Sequence, residues 1–283
     1  MKIDDYLVEF VKQAIIEDLG DGDHTSLATI DKGAQGEAKM IAKDHGVLAG
    51  VEIVRDIIYC IDNTLATEIL LEDGSVVKMG DIVLYIRGNI HNILLAERLV
   101  LNIMQRMSGI ATTTREYVDL LKGTNTIVLD TRKTTPLLRI FEKEAVRIGG
   151  GGNHRFGLFD LILIKDNHVD YSGGIISALE RAKEYRTKLH KPIEIEIEVR
   201  NMAELREVMG VGGADRIMLD NFSPEDVAEA VRIIDGRCKT EASGGITLQT
   251  IRSYAEAGVD YISVGALTHS VRSLDLSLKA KFL

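Results

Sequence analysis

Residues 191–221 read KPIEIEIEVRNMAELREVMGVGGADRIMLDN. Residues 193–199 alternate apolar and acidic side chains, the pattern of a strand. Residues 202–209 follow at helical spacing, and 216–219 form a second short apolar run. Strand, helix, strand at this spacing is the unit of a parallel sheet with a right-handed crossover. Working outward, the unit recurs. Further strand-like runs lie at 127–129, 161–164, 240–242 and 261–264. Helical stretches fill 136–148, 176–189, 224–234 and 248–257 between and around them. Six strands are countable and eight are not, so the expected architecture is α/β, an incomplete parallel α/β barrel.

The part before this block reads differently. Residues 3–18 have apolar positions at helical spacing, and 18–25 form a turn-rich loop with Gly20 and Gly22. Short strands are expected over 36–42 and 67–88, with Asp73-Gly74 and Gly80-Asp81 as turn signals. A helix is expected over 51–61. Residues 93–107 form the most apolar helix, yet Arg98, Asn102 and Gln105 make one polar stripe along it. On a rod otherwise so apolar, that stripe is expected to face a cavity or a partner chain. Asn92 reads as this helix's cap. The expected division is a mixed α/β sandwich over residues 1–110 and the barrel over 111–270, with 271–283 able to pack on the first.

The chain has 283 residues, 45% hydrophobic and 27% charged, enough apolar material to exclude a disordered or fibrous protein. The net charge is −9, the wrong sign for a protein that coats nucleic-acid backbone. Cys60 and Cys238 belong to no metal-like cluster and read as reduced thiols. The acidic N-terminus does not read as a signal peptide, and no apolar run is long enough to cross a bilayer. A soluble, cytoplasmic protein is expected.

Chemistry in α/β barrels sits where strands end and loops begin. Every such position here is polar or glycine-bearing. Asp130-Thr131-Arg132-Lys133 follows the first strand and Lys165-Asp166-Asn167-His168 the second. Glu198, Asp220-Asn221, Ser243-Gly244-Gly245 and Gly265-Ala266 end the other four. Glycine backbones on the last two loops suit phosphate. The run Gly149–Gly152, followed by Asn153-His154-Arg155, is expected to be a ligand loop.

Charge is unevenly placed. Residues 128–168 carry seven bases against five acids, a net +2 that leaves −11 for the rest. Lys143 and Arg147 share a helix with Glu142 and Glu144 and read as surface pairs. Arg132, Lys133, Arg155 and Lys165 sit in loops or at strand ends, where four cations need an anionic guest. The implied ligand is a small polyanion. Glu194, Glu196 and Glu198 share one strand face. Glu194 reads as solvent-facing, and Glu198 could pair across the mouth with Asp220. Two such carboxylates beside phosphate suit Mg²⁺. His45, His91 and His190 read as surface residues. His168 and His269 stand near strand ends.

The ordered strings DTRKTTP (130–136), GGGNHR (150–155), LIKDNH (163–168), MLDN (218–221), SGGI (243–246) and SVGALTHS (263–270) resemble those of the quinolinate phosphoribosyltransferases. So do Glu97-Arg98, Leu101-Asn102 and residues 108–112 on the apolar helix. The resemblance spans almost the whole chain. It implies phosphoribosyl transfer from phosphoribosyl pyrophosphate to quinolinate with decarboxylation, giving nicotinate mononucleotide, pyrophosphate and carbon dioxide, with Mg²⁺ as cofactor. It implies that Arg132, His154, Arg155 and Lys165 hold the quinolinate carboxylates and that Thr131 and Lys133 serve the substrates. It gives the ribose hydroxyls and the metal to Glu198 and Asp220. It gives the 5′-phosphate to Ser243, Gly244, Gly245, Val264, Gly265 and Ala266. Catalytic roles would fall to Lys133, Lys165, Glu198 and Asp220. Arg98 would come from the neighbouring subunit of a homodimer.

Three other readings compete. A transferase acting on nicotinate would need fewer cations, because nicotinate has one carboxylate. A Schiff-base enzyme would need Lys165 desolvated. A non-catalytic phosphate-binding protein would leave the acid pair unexplained.

Overall fold

A computed structural model of the chain describes residues 3–189 and 191–281, so His190 lies outside the described residues. No described helix is long and apolar enough to cross a membrane. In chain order the elements begin with α1 (Ile3–Leu19), α2 (His24–Thr29), β1 (Gln35–Ala42), β2 (Gly46–Val47), α3 (Val51–Ile61), β3 (Ala66–Ile69), β4 (Val76–Val77), β5 (Ile82–Asn89) and α4 (Ile90–Leu120). Then come β6 (Ile127–Leu129), α5 (Arg139–Gly149), β7 (Ile162–Ile164), α6 (Asp166–Ser172), α7 (Ile175–Lys188), β8 (Ile195–Val199) and α8 (Met202–Val211). The chain continues with β9 (Arg216–Asp220), α9 (Pro224–Ile234), β10 (Lys239–Ser243), α10 (Ile251–Glu256), β11 (Tyr261–Ser263), α11 (Ala266–His269) and β12 (Leu276–Lys281). The described residues form two compact units: 3–113, 140–150 and 271–281 in one, 114–139 and 151–270 in the other.

The first unit holds an antiparallel sheet in the order β12-β1-β5-β3 and a small β2-β4 pair. Met40, Leu84 and Ile86 are fully buried in it. α3 turns Val51, Val54, Ile57 and Ile58 inward, the i, i+3, i+7 stripe of an amphipathic helix. Glu37 is buried on β1 and paired to Arg87, which also holds Glu68 at 2.7 Å. The Phe141 ring of α5 packs on Phe10 of α1 with centroids 4.9 Å apart. Gln105 on α4 donates to the Leu276 carbonyl at 2.7 Å, so this end of the polar stripe anchors β12. Arg98 and Asn102 remain exposed.

The second unit is a six-stranded parallel sheet, order β6-β11-β10-β9-β8-β7, an incomplete α/β barrel with helices between its strands. All five residues of β8 are buried, as expected of a strand covered on both faces. Helix entries follow local chemistry. Asn201 Oδ1 accepts from the N–H groups of Ala203 and Glu204 at 3.0 Å, and Ser223 accepts from Asp226 ahead of Pro224.

Several expectations change. Asn89, not Asn92, caps α4: its Oδ1 accepts from His91 N–H at 3.0 Å, while Asn92 donates to Asp62 at 2.7 Å. α5 starts at Arg139 and not at residue 136, because Leu137 has φ 64°, a left-handed value that no helix accommodates. Residues 24–29, expected to begin in a loop, form α2, capped by Asp23. Glu142 and Lys143 are buried, and Glu142 pairs with Arg106 at 2.7 Å, so only Arg147–Glu144 is a surface pair. The glycine run does not line the ligand cavity described below. Gly152 lies along the outer edge of β6 and exchanges backbone hydrogen bonds with Val128 and Asp130 at 2.8 and 3.2 Å. A Cβ there would stand 2.7 Å from Leu129 Cδ2, so the glycine is needed for close approach that covers a sheet edge.

Two glycine substitutions make a paired test of this packing. Gly109→Ala on α4 would drive its Cβ into the Arg272 carbonyl oxygen and should destabilise the protein by about 1–3 kcal/mol. Gly210→Ala on α8 meets nothing within 4 Å and should stabilise by roughly 0.5–1 kcal/mol through helix propensity. Thermal melting of both variants checks the opposite signs.

Candidate functional site

Parallel strands end on one side, and a cavity of about 780 Å³ opens where those of the second unit do. Its wall takes Arg132 and Lys133 from the loop after β6, His154 and Arg155 from the segment before β7, and Lys165 from the end of β7. Asp220 ends β9. Ser243, Gly244 and Gly245 follow β10, and Gly265 and Ala266 follow β11. Four Lys and Arg side chains thus face one carboxylate among the lining residues.

The cations are held from below. Lys165 Nζ is 2.7 Å from Glu198 Oε2, an ammonium paired with a buried carboxylate. Burial, followed by the charge of Arg132, lowers the Arg155 guanidinium from the ordinary arginine value. Arg139 ties two loops together, donating to Thr134 Oγ1 at 2.9 Å and to the Phe156 carbonyl at 3.0 Å. Thr268 Oγ1 donates to the Lys133 carbonyl at 2.9 Å, so the loops after β6 and β11 are joined.

On the opposite wall Asp220 accepts from Ser243 Oγ at 2.7 Å and from Asn221 Nδ2 at 2.6 Å. Asn221 has φ 57°, and its N–H donates to the Ser243 carbonyl at 2.9 Å. Gly244 must be glycine here. Its φ is +95°, and a Cβ would overlap the Asn221 amide group.

His154 borders the cavity, but both its ring nitrogens face protein. Nδ1 accepts from the Arg155 N–H at 2.7 Å, and Nε2 lies 3.0 Å from Glu196 Oε2 and 3.7 Å from Glu241 Oε1. Glu196 on β8 and Glu241 on β10 are fully buried. Burial pushes both carboxyls up to about 7, the Glu196 charge raising Glu241 further, while Arg216 opposes the shift at both.

Of the expected site residues, Thr131, Arg132, Lys133, His154, Arg155, Lys165, Asp220, Ser243, Gly244, Gly245, Gly265 and Ala266 line one cavity. Val264 is buried behind it, its N–H donating to the Leu129 carbonyl at 2.9 Å. Glu198 reaches it through Lys165. Arg98 is exposed on α4 in the first unit and is not among the lining residues. Glu194 is exposed, as read from its position. His168 accepts from the Lys165 N–H at 3.0 Å, and His269 lines the cavity. Cys60 and Cys238 are free thiols. Sequence reasoning missed Glu241, whose one signal is an acid inside a short buried parallel strand. It also left Asn221 and Thr247 out of the site.

Residues 23–108 and 110–279 match the N-terminal and C-terminal domains of the quinolinate phosphoribosyl transferase family. The mitochondrial quinolinate phosphoribosyltransferase 2b (decarboxylating) of Nicotiana tabacum is 44% identical, over 96% of this chain and 82% of that one. A probable nicotinate-nucleotide pyrophosphorylase (carboxylating) of Bacillus subtilis is 42% identical over 96% of this chain and 92% of its own. The crystal structure of NadC from Streptococcus pyogenes superposes with a TM-score of 0.93 at 38% identity, covering 100% of this chain and 99% of that one.

The buried acid pair carries a pH prediction. Its folded values of about 7 exceed the ordinary carboxylate value of 4.5, so the folded protein keeps protons that the unfolded chain releases. Stability is therefore highest at the acidic end of this window and falls as pH rises from about 4.5 through about 7. Melting temperatures between pH 5 and pH 8 should fall less steeply for Glu241→Gln than for the unaltered protein. Equal slopes would show that Glu241 holds no extra proton.

Proposed function

This chain belongs to the quinolinate phosphoribosyltransferase family, and we propose that it makes nicotinate mononucleotide for NAD biosynthesis. The phosphoribosyl group of phosphoribosyl pyrophosphate passes to the ring nitrogen of quinolinate, with release of pyrophosphate and carbon dioxide. One observation carries the reading: Arg132, Lys133, Arg155 and Lys165 converge on a single cavity with one lining acid, Asp220. A dicarboxylate and a polyphosphate are the guests that such a wall compensates. A monoacid such as nicotinate would leave more of that charge unmatched.

In this reading Arg132, Arg155 and Lys165 hold the two carboxylates, and Lys133 serves the phosphates. The side-chain-free backbone at Gly244, Gly245 and Gly265, with Ser243 and Ala266, receives the 5′-phosphate, while Val264, its N–H held by Leu129, backs that loop from behind. Glu198 and Asp220 hold the ribose hydroxyls. The ring nitrogen attacks the anomeric carbon as the bond to pyrophosphate breaks, so charge builds on both. Fixed cations and alignment stabilise that separation, and no side chain acts as nucleophile. The pyridinium then accepts the electron pair left by the departing carboxylate, and a proton takes its place on the ring.

The residues also fit Mg²⁺. Asp220 offers hard oxygens on the cavity wall, each accepting one hydrogen bond and keeping a lone pair, with Glu198 on the neighbouring strand. Bound there, the ion would neutralise charge on the leaving pyrophosphate. A homodimer in which Arg98 completes the neighbour's cavity is part of the proposal, supported by the exposure of Arg98 on α4. So is a cytoplasmic location, supported by two free thiols.

Incubation with quinolinate, phosphoribosyl pyrophosphate and Mg²⁺ should release pyrophosphate and carbon dioxide in equal amounts. No turnover with this pair would refute the reading. Arg132→Ala should raise the KM for quinolinate about 10–100-fold, the loss of one charged hydrogen-bonding group, and move the KM for phosphoribosyl pyrophosphate far less. Equal changes in both would remove Arg132 from the carboxylate site.

A further inference from the structure

Behind the cavity lie three charged side chains that the proposed reaction does not use. Glu196, Arg216 and Glu241 come from the adjacent strands β8, β9 and β10. Arg216 Nη1 donates to Glu241 Oε2 at 2.8 Å, and its guanidinium lies over the Tyr261 ring, 4.2 Å from the centroid. The other Glu241 oxygen faces His154, as Glu196 does. Glu196 accepts no well-directed hydrogen bond among the described residues although it is fully buried. Two carboxylates at this depth, directly under an anion-binding wall, oppose the function of that wall unless their charge is matched.

One histidine and two carboxylates, with one donor atom of each within 4.8 Å of the others, have the composition of a metal site. The His154 tautomer argues against it. The Nδ1 lone pair is occupied by the Arg155 N–H at 2.7 Å, so the neutral ring carries its proton on Nε2, the atom that faces the carboxylates. A ligating imidazole needs the reverse, a bare Nε2 and a donating Nδ1–H.

We infer that Glu196, Glu241 and Arg216 are positioning residues for the anion cavity. The carboxylates fix His154 as its Nε2–H tautomer. Nδ1 of that ring then holds the backbone of Arg155, whose guanidinium borders the cavity. His154 is pinned from its own backbone as well, its N–H donating to Asp130 at 2.8 Å. Arg216 supplies the positive charge that keeps the acid pair from cancelling Arg155 and Lys165. This assignment rests on the dicarboxylate reading above.

The test is calorimetric titration of the intact protein with benzene-1,2-dicarboxylate, the same diacid without a ring nitrogen, so binding is read with no turnover. Arg216→Met should weaken binding about tenfold or more. Adding Glu241→Gln should restore it to within about threefold, because the two changes share one interaction. Unchanged binding in Arg216→Met, or no rescue in the double variant, overturns the inference. The ¹⁵N shifts of His154 in the unaltered protein need no variant and should show a protonated Nε2. A protonated Nδ1, or stoichiometric Zn²⁺ binding that Glu241→Gln abolishes, overturns it too. Turnover is scored separately. Diacid binding with rescue but no turnover refutes the activity alone, and turnover without rescue refutes this inference alone.

Discussion

Six strands hydrogen-bonded in parallel must all end on the same side of their sheet. The rest of the second unit depends on that constraint. β6, β11, β10, β9, β8 and β7 deliver their last residues to one rim, so groups far apart in sequence become neighbours. Lys133 and Thr268 meet there, as do Lys165 and Glu198, and Asp220 and Ser243. No single strand could assemble a wall with four cations. The parallel sheet also buries its strands on both faces, which leaves any charge on an inward position deprived of water.

Glu196 and Glu241 show the cost of that second effect, and Arg216 the compensation. An acidic chain can carry a cationic pocket because charge acts locally, over roughly the Debye length of 10 Å at moderate salt. Beneath the pocket, Glu196 feels the charges of Arg155 and Lys165, and Glu241 that of His154. Their environment raises them toward neutrality, and Arg216 offsets the remainder. The chain's net charge of −9 bears on solubility and leaves the pocket's sign unaffected.

What the sequence made legible was what repeats or is local. All six parallel strands were readable because strand and helix periods alternate without interruption. Three cations of the cavity were readable because each follows a strand, and Arg155 because it follows the glycine run. The start of α5 was hidden because a leucine in a left-handed conformation is dictated by the surrounding turn and not by leucine's own preference. The glycine run was misread because a glycine-rich stretch signals close approach without naming what is approached, here the edge of β6. Glu142 and Lys143 carried a normal surface pattern, and Arg106, which pairs with Glu142, is 36 residues distant in sequence. Glu241, on β10, and His154, on the segment before β7, are brought together by the tertiary fold, so neither advertises the other. The choice of Glu198 as the strand's reactive acid left its neighbour Glu196, two residues earlier on the same strand, without a role.

The place of β12 in the first unit bears on how the protein is made. Residues 276–281 form an outer strand whose partner, β1, is complete by Ala42. A ribosome moving at about 5–20 residues per second would finish β1 roughly 12–50 s before β12 emerged. Throughout that interval the free edge of β1 offers unpaired backbone groups to any passing strand. The unit that begins first in the chain is therefore the last that can close, and the parallel sheet, all of whose strands precede Leu276, can fold ahead of it. Nascent chains of this protein would depend on a chaperone or a crowded neighbour more at their beginning than at their end.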